Sequence, residues 1–365
     1  MRRRRFSIAA LAVPLALLAF ACSGGDDDDA TSTTSTVTST TKPESTKPTV
    51  PAAKTIGLAY DLAGRGDHSF NDAAAAGFEK AQKELGLALE EAKPDQSGSN
   101  REAVLQQLLD AGSELIFGVG FLFTDPVAAQ ARAHPDARFA LVDGVVDTPN
   151  VASLTFAVNE GSYLVGAAAA LTSKTGKIGF VGGVAIPVIK SIEAGYVAGA
   201  KAVKPDIQVD VRYITQPPDM NGFGSPPMAR QVALAQYDAG VDVIYHAARG
   251  SGAGVFVAAK EHSEAHDAHV WAIGSDSDQY TTVGNASLQQ YILTSMVKKI
   301  DVVVYDTIKR QHGGTDVGGT TTQFGVKSGG VDYSTSGGFV DGIKPQLEEL
   351  KHKIADGSIT VPDTP

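Results

Sequence analysis

The sequence predicts an α/β protein made of two lobes with a cleft between them. From residue 54 onward, short β-branched runs alternate with helix-like segments, an order typical of a mainly parallel sheet covered by helices on both faces. The same pattern starts again near residue 177, so two such units follow one another. The chain has 365 residues, 43% of them hydrophobic, and is therefore long enough for two domains with cores of their own.

The first unit is predicted to contain five strands separated by helices. The helix over 70–85 is amphipathic and stops at Gly86, a residue type that commonly ends helices. The other elements rest on the same periodicity arguments. The predicted strands lie at 55–60, 87–92, 115–119, 139–143 and 151–156, and the further helices at 100–111 and 126–133.

The second unit begins after an alanine-rich helix around 163–172. Its strands are predicted at 177–181, 207–214, 241–245 and 270–274, and its helices at 189–203, 228–239 and 254–262. The end of the chain is less regular, with a strand at 291–296 and helices at 302–310 and 344–355. Leftover segments after two complete units are expected if the chain crosses back between lobes.

These patterns suggest a division of the chain between the lobes. The first lobe is predicted to contain residues 54–160 and a return segment at about 276–312. The second lobe is predicted to contain residues 161–275 and the C-terminal segment at about 313–365.

The N-terminal segment is predicted to lie outside the fold. Four arginines at 2–5 precede an apolar run over 6–21 that ends in small residues, as in a secretory signal. Because a bilayer-spanning helix needs about 20 apolar residues, the run is too short to span a membrane. We therefore predict a signal peptide over 1–21, with twin-arginine export as an alternative route.

The lone cysteine, Cys22, follows this signal directly. Residues 18–22 resemble the lipobox at which bacterial lipoprotein precursors are lipidated, although Ala19 and Phe20 depart from its common pattern. The Asp-, Thr-, Ser- and Pro-rich stretch that follows has almost nothing apolar to bury. We predict a lipidated Cys22 and a disordered tether over 22–53; a plain secretory signal with a stray cysteine is the alternative.

Composition and motifs exclude several classes of function. The formal net charge is −10, so the chain lacks the basic surface of a nucleic-acid-binding protein. Its single cysteine excludes an intrachain disulfide, an iron–sulfur cluster and a multi-cysteine zinc site. The sequence has no G-x-S-x-G nucleophile elbow and no G-x-x-x-x-G-K-S/T loop; the nearest, at 175–178, lacks the hydroxyl that binds magnesium. We expect neither an enzyme nor a cofactor.

Two further patterns have ordinary explanations. The glycines over 249–254 follow a strand and open a helix, but their spacing is wrong for G-x-G-x-x-G, so a tight turn near a ligand is favoured. His262, His266 and His269 surround two acidic residues, and the first pair has the i,i+4 spacing that can bind a metal. The order is not H-E-x-x-H, however, so a solvated helix end is favoured over a metal site.

Polar and aromatic side chains recur at the predicted carboxyl ends of strands, where doubly wound sheets bind ligands. Each of these residues, taken alone, has an ordinary structural explanation, since Asp and Asn cap helices and fill turns. Together, clustered carboxylates with one lysine suit a neutral polyol, whose hydroxyls can donate to them, and a flat ring suits stacking against a base or sugar. The residues are Asp61, Phe70, Asn71, Asp143, Tyr245, His246, Asp276 and Lys298.

Five motifs occur in order along the chain. They are D-H-S-F-N at 67–71, F-A-L-V-D-G-V-V-D at 139–147, N-V-A-S-L-T-F at 150–156, G-K-I-G-F-V-G-G at 176–183 and I-G-S-D-S-D-Q at 273–279. They resemble the basic membrane protein (BMP) family, whose members are lipoprotein substrate-binding components of ABC importers. The resemblance runs from about residue 54 to residue 301 and implies a type I periplasmic-binding-protein fold, with two lobes joined by three crossings and closing on a nucleoside.

The resemblance also implies roles for individual residues. In the family, the Phe of the S-F-N motif stacks on the base, which assigns this role to Phe70, with Asn71 beside it. The Asp that ends the first strand corresponds to Asp61. The Asp of the V-D-G motif, which reads the edge of the base, corresponds to Asp143.

Ribose recognition and the second stacking ring complete the implied site. The acid and the lysine that hold the ribose correspond to Asp276 and Lys298. The second aromatic ring falls at the strand end formed by Tyr245 and His246, with Phe223 from the preceding loop as the other candidate.

Two departures from the family pattern lie near this site. Arg249 replaces a small residue in the glycine turn, which also supplies Gly250 as an expected contact of the ligand. Residues 216–227 are unusually rich in proline and glycine. Either change can alter the base preference or the class of ligand.

The function predicted from the sequence is that of a lipid-anchored solute-binding protein on the extracytoplasmic face of the cell membrane. It would capture a nucleoside, a purine by preference, and deliver it to an ABC permease. The alternatives are a membrane-tethered sensor of the same fold and a binder of another small polar ligand, such as a sugar or riboflavin. An enzyme that cleaves the N-glycosidic bond would need an activated water, and no metal or acid–base set for this stands out. We expect no nucleic acid and no metal among its partners.

Overall fold

The computed structural model describes residues 54–61, 64–95 and 97–365. The predicted signal peptide, Cys22 and the tether lie outside these residues. Within them, the chain forms two six-stranded sheets, each covered by helices on both faces. The predicted α/β class with two lobes is confirmed.

The first sheet has six strands, all parallel to their neighbours, in the order β11-β5-β4-β3-β1-β2. The strands are β1 Thr55–Ala59, β2 Ala88–Ala92, β3 Ser113–Val119, β4 Arg138–Val142, β5 Val151–Phe156 and β11 Thr320–Phe324, numbered along the whole chain. Helices α1 and α10 cover one face and α2 and α3 the other. These helices are α1 Phe70–Leu85, α2 Arg101–Asp110, α3 Thr124–Ala133 and α10 Ile300–His312.

The second sheet follows the same path, in the order β12-β10-β9-β8-β6-β7, except that β12 is antiparallel to β10. Its strands are β6 Lys177–Val184, β7 Gln208–Thr215, β8 Val243–Ala247, β9 Trp271–Asp276, β10 Ile292–Lys298 and β12 Val331–Tyr333. Its long helices are α4 Val158–Thr172 and α5 Pro187–Val203 on one face, α6 Pro226–Asp238 and α7 Ala253–His266 on the other, and α11 Lys344–Ala355 beside α4. Two single-turn helices, α8 Gln279–Thr282 and α9 Ala286–Gln289, connect β9 to β10.

Close helix packing in the second lobe depends on glycine. A Cβ at Gly166 of α4 would lie 2.1 Å from the backbone oxygen of Tyr196, and one at Gly199 of α5 would lie 1.9 Å from that of Tyr163. Real Cβ atoms do not approach a backbone atom this closely, so α4 and α5 can meet at this distance only because both positions lack a side chain.

The chain crosses between the lobes three times: from β5 to α4, from β10 to α10, and from β11 to β12. Backbone hydrogen bonds join these crossings. The N–H of Ala157 donates to the oxygen of Phe324, and the N–H of Lys299 to that of Gly330, both at 2.9 Å. The three crossings therefore lie side by side and form one hinge region.

The strand order corrects the division of the chain that the sequence suggested. Residues 276–312 were expected in the first lobe, but β10 lies in the second sheet, and only α10 packs on the first. Residues 313–365 were expected in the second lobe, but β11 lies in the first sheet. The reason is that β10 pairs with β9, the strand just before it, whereas β11 pairs with β5, which is far away in the sequence.

Candidate ligand-binding cleft

The candidate site lies where the carboxyl ends of the two sheets meet. In each lobe the first strand pairs with two neighbours, β1 with β2 and β3, and β6 with β7 and β8. Such switch points are where doubly wound sheets bind their ligands. Asp61 follows β1 and Arg249 follows β8, and these two side chains form an ion pair that joins the lobes.

A buried hydrogen-bond network around Asp67 fixes the start of α1. Its carboxylate accepts hydrogen bonds from the backbone N–H groups of Ser69, Asn71 and Asp72, at 3.0, 2.9 and 3.2 Å. The Asn71 side chain donates to Asp67 at 3.1 Å and accepts from the backbone N–H of Asp61 at 3.1 Å. Burial raises the pKa of Asp67, and the three backbone hydrogen bonds oppose this rise. Asn71 is completely buried, and its contacts position Asp61 and the first turn of α1.

Two phenylalanines, one from each lobe, contact the same side chain. Phe70 begins α1, and Phe223 ends the short turn Asn221–Phe223 that precedes α6. The guanidinium carbon of Arg249 lies 4.5 Å from the ring centroid of Phe70 and 4.9 Å from that of Phe223. A flat group therefore rests against an aromatic ring of each lobe.

Asp61 lies beside two arginines. Arg249 donates a hydrogen bond to its Oδ2, and Nη2 of Arg101 lies 3.8 Å from its Oδ1. Gly120, at the end of β3, makes room for Asp61, because a Cβ at that position would lie 2.8 Å from Oδ2. Burial lowers the pKa of Arg249 to about 10, so its guanidinium is still protonated at neutral pH. Burial also lowers the pKa of Arg101.

A second set of charges places one lysine between two carboxylates. Nζ of Lys298, at the end of β10, lies 2.5 Å from Oδ2 of Asp143 and 3.7 Å from Oδ1 of Asp276. It also lies 4.6 Å from the ring centroid of Phe70. Ser69 donates to Oδ2 of Asp276 at 2.9 Å. Burial raises the pKa of Asp143; Lys298 opposes this rise, and Asp276 adds to it.

Four residues of the cleft have backbone conformations that side-chain-bearing residues rarely adopt. The φ angle is 52° at His68, 63° at Asp143, 49° at Arg249 and 67° at Asp276. Residues in this left-handed region cost energy and concentrate at binding and active sites, where surrounding contacts hold them. In the part of the chain that the structure describes, the only other such residue, Asp267, lies at the C-terminal end of α7.

The prediction that Tyr245 faces the cleft is wrong. Strand β8 continues to Ala247, so Tyr245 lies within the sheet and not at its end. Its ring is fully buried in the core of the second lobe, with centroids 5.7 Å from Phe180 and 5.2 Å from Tyr196. Phe223, the other candidate named from the sequence, is the ring that lies in the cleft.

His246 is also buried, and its ring packs against the glycine turn Arg249–Gly252. Its ring packs edge-on against Phe256 at 5.1 Å, and a Cβ at Gly252 would lie 2.1 Å from its Cε1 atom. Burial lowers the pKa of His246 to about 4. Gly250 lies on the other side of the turn, where a Cβ would come 3.5 Å from the backbone oxygen of Phe223. His246 therefore positions the turn and does not line the cleft.

Sequence reasoning missed three polar contributors to the site. Asp67 belongs to the D-H-S-F-N motif, but no role was inferred for it, because the N-cap position of α1 is Ser69 and Asp67 lies two residues earlier. Arg101 opens α2 and carried no signal. Arg249 stood out only as a departure from the family pattern, because its partners Asp61 and Phe70 belong to the other lobe.

The histidine pair on α7 lies at the opposite end of the second sheet, before the amino ends of β8 and β9. His262 Nε2 is 3.6 Å from Oδ1 of the exposed Asp238, and the ring of His266 stacks on that of His262 at 4.2 Å. One ligand atom from each of the three lies within 4.8 Å of the others. Metal-bound histidines usually donate their second ring N–H to a partner, whereas Nδ1 of His262 has none among the described residues. We assign no function to this cluster.

The fold and the cleft define a class of protein. Two lobes of like topology, joined by three crossings and meeting at buried charged and aromatic groups, form a type I periplasmic-binding-protein fold, the architecture of a two-lobed solute-binding protein. Among the described helices, none combines the length and the apolar character needed to cross a bilayer.

Comparison with known proteins identifies the family. The Bmp family model, described as ABC transporter substrate-binding protein PnrA-like, matches residues 54–365. The CD4+ T-cell-stimulating antigen of Listeria monocytogenes is 37% identical over 85% of this chain and 88% of that protein. The ABC transporter nucleoside-binding protein BmpA of Lactococcus lactis is 37% identical over 84% and 88%. The crystal structure of an ABC transporter solute-binding protein from Aeropyrum pernix K1 has a TM-score of 0.73 at 29% identity, covering 85% of this chain and 94% of that one.

The chain belongs to the Bmp family. It is an ABC transporter solute-binding protein and not an enzyme.

Proposed function

We propose that this protein captures a purine nucleoside between its lobes and delivers it to an ABC importer. The observation that carries the proposal is the pair of phenylalanines, Phe70 and Phe223, that contact one flat group from the two lobes. Stacking against such rings is how proteins hold bases without regard to their hydrogen-bonding edges. The name of the Lactococcus relative, a nucleoside-binding protein, supports the same ligand class.

The polar groups of the cleft suit the rest of a nucleoside. Asp143 would accept hydrogen bonds from the edge of the base, and Asp276 from the hydroxyls of the ribose. Lys298 lies between these carboxylates and would donate to a ribose oxygen. A free sugar can stack on an aromatic ring, but it is not a flat group that two rings can share, which makes it the weaker candidate.

Stacking and ribose recognition can be tested separately by titration calorimetry. Phe70→Ala should weaken binding of the nucleoside and of its free base alike, by about tenfold or more, because a stacked ring contributes roughly 1–3 kcal/mol. Asp276→Ala should weaken the nucleoside strongly and leave the poor binding of the free base nearly unchanged. Phe339→Ala, which truncates an exposed phenylalanine, is the matched control and should change neither.

The ligand itself is identified by a thermal-shift screen across nucleosides, bases, sugars and riboflavin. Stabilisation by purine nucleosides above all others is the expected result. If a sugar or riboflavin stabilises the protein and nucleosides do not, or if Phe70→Ala binds nucleoside as tightly as the wild type, the proposed ligand is wrong. Release of free base from inosine on incubation would instead indicate an enzyme.

A protein held at the membrane stays close to its permease, and we infer a lipid anchor on Cys22 for this purpose. The inference rests on the sequence, since Cys22 lies outside the described residues. Cys22→Ser should move the protein from the membrane fraction to the soluble fraction. A wild-type protein without the mass of a lipid, together with a variant that stays membrane-bound, would contradict the anchor.

A further inference from the structure

Arg249 lies where the proposed function requires a base. Its side chain is only 11% exposed, rests against Phe70 and Phe223, and pairs with Asp61 of the other lobe. We propose that Arg249 is an internal occupant of the slot between the rings of Phe70 and Phe223. Without ligand, Arg249 holds the lobes together, and it must be displaced when a ligand binds. The residue thereby sets the affinity of the cleft for its ligand. This inference rests on the proposed function and concerns the regulation of the same site.

The guanidinium group shares with a nucleobase the features that this slot recognises. It is planar, it stacks on aromatic faces, and its N–H donors lie in its own plane. Arg249 places its guanidinium group over the rings of Phe70 and Phe223 and directs an N–H donor to Asp61. A base with an amino group or a ring N–H on its edge presents the same combination. The side chain and the base therefore compete for the same partners.

The contacts of Arg249 cross the cleft, so they stabilise the closed arrangement. Arg249 belongs to the second lobe, whereas Asp61 and Phe70 belong to the first. These contacts exist only while the lobes are together. A ligand shifts an equilibrium only by the difference in its affinity for the two states, and here it must first replace contacts that the closed protein already makes. Arg249 therefore lowers the apparent affinity for the ligand.

The surroundings allow Arg249 to leave the slot. It begins the turn Arg249–Gly252, in which a Cβ at Gly250 would have only the backbone oxygen of Phe223 nearby, at 3.5 Å. The side chain is long and unbranched, so it can turn out of the cleft without a change in the sheet. Asp61 keeps Arg101 at 3.8 Å when Arg249 leaves, so the carboxylate is not left without a cation.

The variant that tests the proposal is Arg249→Gly, because glycine adopts the φ of 49° without strain. It should bind the purine nucleoside about tenfold or more tightly than the wild type, the factor expected when a charge-assisted contact no longer has to be displaced. In small-angle X-ray scattering, the ligand-free variant should have a larger radius of gyration than the ligand-free wild type and should contract with nucleoside. Arg101→Gln, which removes the other cation beside Asp61 but leaves the slot filled, is the matched control and should not bind more tightly.

Chemical rescue gives an independent readout. Millimolar guanidinium chloride should contract ligand-free Arg249→Gly and compete with the nucleoside for it, since the free ion can occupy the same slot. Sodium chloride at the same ionic strength should do neither. Circular dichroism checks that the variant is folded; if the glycine variant is not, Arg249→Asn takes its place, because asparagine also tolerates positive φ.

The outcomes separate this inference from the proposed function. If the wild type binds nucleoside and the folded variant binds it equally or more weakly, Arg249 is not a competing occupant, and the proposed function stands. If neither protein binds any nucleoside, the ligand class is wrong, and small-angle X-ray scattering decides on the internal occupant. A variant that is larger than the wild type, and that becomes smaller with guanidinium, supports it. A variant as compact as the wild type in that case overturns both.

Discussion

The two lobes share a strand order, but in the two shortest ion pairs of the cleft the acid comes from the first lobe and the cation from the second. The path β2-β1-β3-β4-β5 of the first sheet is repeated as β7-β6-β8-β9-β10 in the second. The first lobe contributes Asp61 and Asp143, whereas the second contributes Arg249 and Lys298, and each acid pairs with one of these cations. Repetition of a fold therefore does not repeat its surface, because residues at or just after the ends of the strands carry the charges, and these residues differ between the lobes. Closure brings complementary groups together even without a ligand.

The largest effect should follow from removing a cation of the second lobe. Lys298→Met leaves Asp143 and Asp276 buried near each other without the lysine they share. The free energy of unfolding should fall by about 3–5 kcal/mol, the usual cost of stranding one charge of a buried pair. Denaturation by urea measures this change.

The double variant Lys298→Met with Asp143→Asn is the control for that experiment. It should recover part of the lost stability, because the acid that loses its partner is then neutral. A single variant as stable as the wild type would show that charge complementarity contributes nothing to the closed form.

A second difference between the lobes is the buried histidine of β8, the strand that pairs with β6. Strand β8 contains His246, whereas the corresponding β3 has only apolar residues and glycine over 115–119. The pKa of His246 is about 4 when folded, below its ordinary 6.5, so the neutral form is favoured in the folded state. The contribution of the neutral His246 to the free energy of unfolding is fully present above pH 6.5. It is lost as the pH falls from there toward 4, by roughly 3 kcal/mol at most.

This prediction is measured by comparing wild type with His246→Leu in urea at several pH values. The stability difference between the two proteins should change in favour of the variant as the pH falls from 7 to 4.5. A difference that stays constant with pH would mean that His246 is not held neutral.

The helix pairs α1–α10 of the first lobe and α4–α5 of the second differ in how closely they pack. The approach of α4 and α5 is closest at Gly199, where a Cβ would lie 1.9 Å from the oxygen of Tyr163. In the first lobe, the corresponding value for Gly77 of α1 and the oxygen of Asp301 in α10 is 2.4 Å. Gly199→Ala should lower stability by about 2 kcal/mol, because the helices must separate. Thermal unfolding measures the loss, and Gly224→Ala, where a Cβ meets nothing within 4 Å, should stay within about 0.5 kcal/mol of wild type.

The smallest effect is expected for an ion pair inside one lobe. Arg138 at the start of β4 donates two hydrogen bonds of 2.8 Å to Asp316, but the carboxylate is 56% exposed. Arg138→Gln should cost only about 0.5 kcal/mol, since water and salt screen such pairs. The cost should shrink further in 1 M sodium chloride. A loss as large as that of Lys298→Met would remove the distinction between pairs across the cleft and pairs within a lobe.

Periodicity in the sequence predicted the elements that have a strong pattern. The helices α1 and α11 and the strand β5 have the predicted bounds. Strands β11 and β12 were not predicted: the first is threonine-rich and only half-buried, and the second has three residues. Both are edge strands, and pairing with a distant strand makes them strands. Local sequence does not contain that information.

The site shows the same division. Asp61, Asp143, Asp276 and Lys298 were predictable because acids and lysines at the ends of parallel strands meet at one edge. Tyr245 was not, because a strand end is uncertain by about two residues, and β8 continues two residues beyond it, so its side chain lies within a sheet that helices cover on both faces.

The late strands also constrain how the chain can be made and shortened. Because β11 completes the first sheet and β12 the second, neither sheet is whole until the segment 320–333 has left the ribosome. A stop or a protease cut before residue 320 would take an edge strand from both lobes at once, so no single lobe can be produced by simple truncation. Completion of the two lobes is one late event in the biogenesis of the protein.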